Sequence, residues 1–140
     1  MAAIRSFKEL KTWKEAHRLV MMVYQSTNNY PKGERFGLVS QWRRAAVSIP
    51  ANIAEGFGRR TTKELLQSLN IANGSLEEVR YYAFLSTELK YLKAADGEII
   101  EQQCGTTVAL LLAGLTRSLR TKMRNADPLN TGHRSPNTGK

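Results

Sequence analysis

The chain has very little of what most enzymes need. There is a single cysteine, Cys104, in 140 residues. One thiol cannot form an internal disulfide or a thiolate metal site, so Cys104 is expected to be a small buried hydrophobe. The two histidines, His17 and His133, are far apart, and neither has a second histidine or carboxylate at ligand spacing. H-E-x-x-H and C-x-x-C are both missing. The carboxylates Glu55, Glu64, Glu77, Glu78 and Glu88 make no E-x-x-H pairs, which argues against a di-iron bundle site. GFGRRTTK contains glycine, lysine and threonine, but not in the G-K-[ST] order and not after a strand pattern. The expectation is therefore a non-enzymatic protein with no catalytic residues, no metal and no cofactor. Long apolar runs are also missing. None approaches the roughly 18–20 residues that span a bilayer. The opening MAAIRSFKELKTW has no signal-peptide core or cleavage site. No membrane partner is expected, and a cytoplasmic location is.

Acidic residues are the other shortage: 12 Asp and Glu stand against 21 Lys and Arg, a net charge of +9. The excess is uneven. Residues 1–60 balance at +7, residues 61–100 at −2 and residues 101–140 at +4. A basic protein with clustered arginines suits a polyanionic partner, because each phosphate contact releases counterions. Charge alone does not separate RNA from DNA.

Helical periodicity is plentiful. Residues 1–11 read as a lead-in, and Trp13 to Asn28 as a first helix with Trp13, Ala16, Val20, Val23 or Tyr24, and Thr27 inward. Pro31 and Gly33 mark a loop. A second helix is predicted over about Glu34–Phe57. A third, over Thr62–Leu92, buries Leu65, Leu69, Ala72, Leu76, Val79 and Ala83, with Leu66, Ile71, Phe84, Leu85 and Leu89 widening its apolar arc. Gly74 interrupts it, which suggests the close approach of another backbone, within the chain or across a subunit boundary. Asp96 is the expected N-cap of a fourth helix ending near Met123, with Arg117, Arg120, Lys122 and Arg124 in its last turns. Residues 1–124 thus form one all-α, up-down-up-down four-helix bundle, and residues 125–140 an apolar-poor, disordered tail.

The most informative stretch is 41–66, QWRRAAVSIPANIAEGFGRRTTKELL. Trp42, Ala45, Ala46, Ile49, Ile53 and Phe57 fall on one helical side. Arg44, Ser48, Asn52 and Glu55 form a polar line beside it; a solvated face is the alternative, and a buried polar network at a helix or subunit contact, with Gly56 beside it, is the expectation. Pro50 has no N–H for the carbonyl of Ala46 and should kink or split this helix. Gly56-Phe57-Gly58 reads as a glycine-capped end. Thr61 and Glu64 form a T-x-x-E capping box for the third helix.

The run RRAAVSIPANIAEGFGRR, with ANGSLEEVRYY and ELKYL downstream, resembles a family of small bacterial four-helix bundles. Its members are encoded in intervening sequences of large-subunit ribosomal RNA genes and are labelled ribosomal-protein-like. A related bundle is the accessory variability determinant protein of diversity-generating retroelements. The resemblance spans roughly residues 7–120 and implies a homo-oligomer, typically a ring of five; the retroelement branch, similar in architecture more than in residues, adds a basic surface that engages nucleic acid and a reverse transcriptase. The matching motif positions are Arg43, Arg44, Ser48, Asn52, Glu55, Gly56, Arg59 and Arg60.

Two functions follow. In the first, Arg43, Arg44, Arg59, Arg60, Lys63, Arg117, Arg120, Lys122 and Arg124 contact phosphates of a nucleic acid, structured RNA being favoured over DNA. Trp42 could stack on a base, although core packing is its commoner use. In the second, the chain is an oligomeric scaffold whose arginines meet carboxylates of another subunit or partner.

Overall fold

The computed structural model describes residues 6–126, and every regular element within them is helical. A short 3₁₀ turn, Phe7–Glu9, is capped by the Ser6 hydroxyl, which accepts from the Lys8 N–H. It leads into α1, Lys11–Thr27, where Thr12, Ala16, Leu19, Val20, Val23 and Thr27 are buried. The helix begins a little before the expected Trp13. Trp13 is only half buried, set edge-on to Phe7 and stacked over His17. Tyr24 is exposed, so Val23 takes the inward position.

A second 3₁₀ turn, Lys32–Glu34, occupies the loop. The next helix, α2, is Leu38–Phe57 rather than starting at Glu34, because Gly37 sits in a non-helical conformation at its N-cap. The stripe Trp42, Ala45, Ala46, Ile49 and Ile53 is buried, and Phe57 packs half-buried against the core. Trp42 is fully enclosed and unavailable to a base. The helix runs through Pro50 without being split. Its end differs from expectation. No described glycine has a positive φ, and Gly58 caps the helix in the right-handed region at φ −90. Gly56 instead lies buried inside the helix, where an added Cβ would come within 2.8 Å of Leu65 Cδ1 and 2.9 Å of Ser68 Cβ. Its missing side chain lets two helices touch.

The partner in that contact is α3, Thr62–Glu88. Thr61 caps it by accepting from the Glu64 N–H at 3.1 Å, and its hydroxyl donates to the Glu64 carboxylate. All six predicted stripe positions, Leu65, Leu69, Ala72, Leu76, Val79 and Ala83, are buried. Ile71, Phe84 and Leu89, expected to widen the apolar arc, are exposed instead. The helix stops at Glu88, ahead of the expected Leu92, and Lys90 turns the chain with φ 66. The last arm is one continuous rod in three parts: α4, Ala94–Gln102; a π-helical turn, Gln103–Val108; and α5, Ala109–Ala126. Lys93, not Asp96, is the N-cap, and Asp96 lies in the first turn. In the π turn, the buried Gln103 donates to the backbone oxygen and to Oε1 of Glu15 on α1, each at 2.9 Å.

Tyr91 donates to Glu34 at 2.9 Å, fixing the α1–α2 and α3–α4 loops at one end of an up-down-up-down bundle. The α2–α3 loop and the last turns of α5 lie at the other. Helix α5 extends through Ala126, past the boundary expected at residue 124, and the rest of the expected tail lies outside the described residues.

Candidate nucleic-acid interface

Folding sorts the predicted cations into two groups. Arg59 and Arg60 are exposed on the α2–α3 loop, and Lys63 is exposed in the first turn of α3. Since α3 and α5 pack antiparallel, the last turns of α5 return to this end. They bring Arg117, Arg120, Lys122 and Arg124, all exposed. Cations far apart in sequence, Arg59 to Lys63 and those of α5, thereby share one pole.

A groove of about 520 Å³ opens there between α3 and α5. Leu66, Leu69 and Leu112 form its apolar wall, Asn70, Asn73 and Thr116 supply hydrogen-bonding groups, and Arg117, Arg120 and Arg124 stand along it. Steps of three and four put these arginines on one face of α5. Among the described residues no carboxylate lines the groove. Lys122 is exposed beside it, outside the lining. Arg59 reaches Glu55 at 2.9 Å, but both side chains are about half exposed, so the pair is weak and exchangeable.

Arg43 and Arg44 belong elsewhere. Arg43 donates to Thr27 at 2.8 Å and to Asn28 at 3.4 Å, and its guanidinium lies 4.4 Å from the Tyr24 ring centroid. It is a clasp between α1 and α2. Arg44 is exposed and makes no hydrogen bond or ion pair among the described residues. Both sit towards the α1–α2 loop, away from the basic pole.

The polar line along α2, expected to be buried as one network, divides: Ser48 and Asn52 are half-buried, whereas Arg44 and Glu55 are exposed, because their side chains lie to the solvent side of the α2–α3 contact. Asn52 donates to Ser48 Oγ at 3.0 Å and to its carbonyl at 2.8 Å, while Ser75 of α3 donates to Ser48 Oγ at 2.8 Å. These three residues bridge α2 and α3. Glu55 faces solvent with Arg59, and Arg44 is separate. Gly56 is buried at the same contact. Ser75 was not singled out from the sequence as a partner. The available signal was its place one residue before Leu76 in the buried register of α3.

A second groove, about 640 Å³, lies at the opposite end between α3 and α4. Its chemistry is reversed: Glu77, Glu88, Glu98 and Glu101 rim it, and its one cation, Arg80, is held by Glu101 at 2.6 Å and Glu77 at 3.3 Å. Those contacts raise the Arg80 pKa, the Glu101 hydrogen bond foremost. Tyr81 and Phe84, 57% and 63% exposed, form its apolar side. Burial, the largest cause, pushes the Cys104 thiol up to about 12, which leaves it an inert core residue. Among the described residues no three His, Cys, Asp or Glu side chains gather closely enough to hold a metal ion, and no helix is long and apolar enough to cross a membrane.

Fold and surface together define an all-α four-helix bundle with a strongly basic pole. More particularly, the chain belongs to the 23S rRNA-intervening sequence protein family, whose model matches residues 8–113. Its fold is similar to a solved protein of unknown function from the S23 ribosomal protein family of Bacteroides thetaiotaomicron. That structure is 25% identical, with a TM-score of 0.60, over 74% of this chain and 93% of the other. No curated protein matches the chain.

Proposed function

We propose that the protein is a non-enzymatic accessory factor that binds structured RNA through its basic pole, in the cytoplasm. The observation that carries this reading is that Arg59, Arg60, Lys63 and Lys122 share one end of the bundle with a groove along which Arg117, Arg120 and Arg124 stand, and which no carboxylate of the described residues lines. Guanidinium groups stay charged and bind phosphate in a bidentate fork. Amide and hydroxyl groups between them suit phosphate and ribose oxygens. The rRNA-linked family gives RNA priority over DNA. Recognition of this kind follows helix shape and charge, with little base reading.

A salt series tests it. The assembled protein should bind a labelled RNA hairpin with an affinity that falls steeply with salt. Replacing Arg59 and Arg60 by alanine should weaken binding and lower the log–log salt slope by about 1–2. An equally charged DNA duplex serves as the comparison. No binding by the parent at low salt rejects the proposal.

Two finer elements rest on the family resemblance: assembly into a homo-oligomer, a ring of five in the resembling proteins, and service beside a reverse transcriptase. Light scattering tests the first and gene neighbourhood the second. The exposed Tyr81 and Phe84 favour a second reading of the molecule, an oligomeric protein scaffold. Large exposed aromatics beside a groove are typical of protein contacts, and its acidic rim would repel RNA. If the hairpin does not bind, that groove becomes the place to seek a protein ligand.

A further inference from the structure

A third concavity, about 450 Å³, lies on the α1–α2 side, at the end remote from the basic pole. Tyr24, Arg35, Phe36, Arg43, Arg44 and Val47 line it, with no carboxylate among the lining residues. Phe36 is 86% exposed, the most exposed of the large hydrophobic side chains. It precedes Gly37, where the chain turns into α2, and so projects from the bundle instead of joining the core. The Arg35 guanidinium lies 5.3 Å from the Phe36 ring centroid. Arg43 is spent on Tyr24 and Thr27, whereas Arg44 has no partner among the described residues. A largely exposed ring with a guanidinium over one face, and a second, unpaired guanidinium along the same wall, make up the chemistry that receives an unpaired nucleotide. The base stacks on the ring face opposite Arg35, whose charge lies over the other face, and Arg44 pairs with the phosphate.

We infer that this surface is a second nucleic-acid site, selective for an unpaired nucleotide of the RNA, with Phe36 as stacking platform and Arg44 as phosphate contact. The inference rests on the RNA-binding reading and adds a division of labour: the basic pole holds paired RNA by charge, and the Phe36 surface takes a bulged or looped base. An A-form duplex keeps its bases stacked and offers the ring nothing, so only unpaired segments gain. Both sites lie on one rigid bundle, so an RNA with a paired stem and a single-stranded extension can engage both, raising affinity through effective concentration.

The test uses the full chain and three fluorescein-labelled RNAs: an eight-nucleotide oligoadenylate, a fully paired duplex, and that duplex carrying a single-stranded extension. Binding is followed by anisotropy at low salt, and assembly by light scattering. Phe36→Ala should weaken oligoadenylate binding about tenfold and leave the plain duplex unchanged. Phe36→Tyr should restore it, and Arg44→Ala should weaken oligoadenylate binding and lower its salt slope by about 1. The residue is so exposed that Phe36→Ala should melt like the parent, which circular dichroism checks. Equal oligoadenylate binding by parent and Phe36→Ala, with duplex binding still lost in Arg59→Ala/Arg60→Ala, overturns this site and leaves the basic pole standing. No binding of any RNA by the parent overturns both. A lower assembled mass for Phe36→Ala identifies the surface as a subunit contact and overturns the site as well.

Discussion

Helix α3 makes two seams of different character. Towards α2 the contact is closed: Gly56 brings the backbones together, Ala45, Ala46, Ala72 and Ser68 are buried, and Ser75 reaches across to Ser48. Towards α4 and α5 it opens at both ends, into the acidic aromatic groove at one and the arginine groove at the other. Between them Arg80 bridges to Glu101 above buried Val79, Ile100 and Cys104. Small residues close one seam because helices approach only as far as their side chains allow. Longer side chains hold the other apart and leave surface that can be read by a ligand. The first seam is closed, and both large α3-lined grooves fall on the second.

Substitutions can break or sharpen that contrast. The largest effect is expected at Gly56. A valine there must displace Leu65 and Ser68, and overpacking of this kind costs about 2–3 kcal/mol. Thermal melts should show the loss, with Gly56→Ala intermediate, and a Gly56→Val protein that melts like the parent would erase the distinction between seams. Next is Ser48→Ala, which removes the acceptor used by both Asn52 and Ser75 and should cost about 1–2 kcal/mol. The Ser48→Ala/Ser75→Ala pair should cost less than the sum of the single changes, since the two hydroxyls serve each other. Urea titrations give the coupling, and strict additivity would show that the bond contributes nothing. Gly74→Ala should stabilise the protein by about 0.5–1 kcal/mol, because an added Cβ at this exposed position meets nothing within 4 Å. Destabilisation with a fall in assembled mass would reveal a third seam, between copies of the chain. Smallest is Glu101→Gln. It weakens a bridge whose side chains are 35% and 49% exposed, and should cost about 0.5 kcal/mol or less. A larger loss would mean that the open seam depends on this strut.

The four helices could be read from the sequence because their apolar residues recur at helical spacing. Every member of the α3 stripe is buried, and so is the α2 stripe except half-buried Phe57. The capping box at Thr61 was legible for the same kind of reason: it is completed within one turn. What failed was what depended on neighbours distant in the chain. Gly56 suggested a helix end by composition, but the proximity of Leu65 and Ser68 gives it its role. Gly74 suggested the close approach of a backbone within the chain or across a subunit boundary; within the chain it faces open space, which leaves the subunit boundary. The π turn had no predicted counterpart; it is seen where Gln103 satisfies the Glu15 carbonyl across the bundle.

For the candidate site the division is similar. Sequence alone established an all-α bundle and a basic excess, since these follow from periodicity and composition. Which cations work together was decided by tertiary structure. Antiparallel packing carries Arg117, Arg120 and Arg124 back to the α3 end that holds Lys63, while Arg43, only 16 residues before Arg59, is drawn into a clasp with Thr27 and Tyr24. Charge is a property of the residue, whereas a binding surface is a property of distances, and those are set only once the helices have packed.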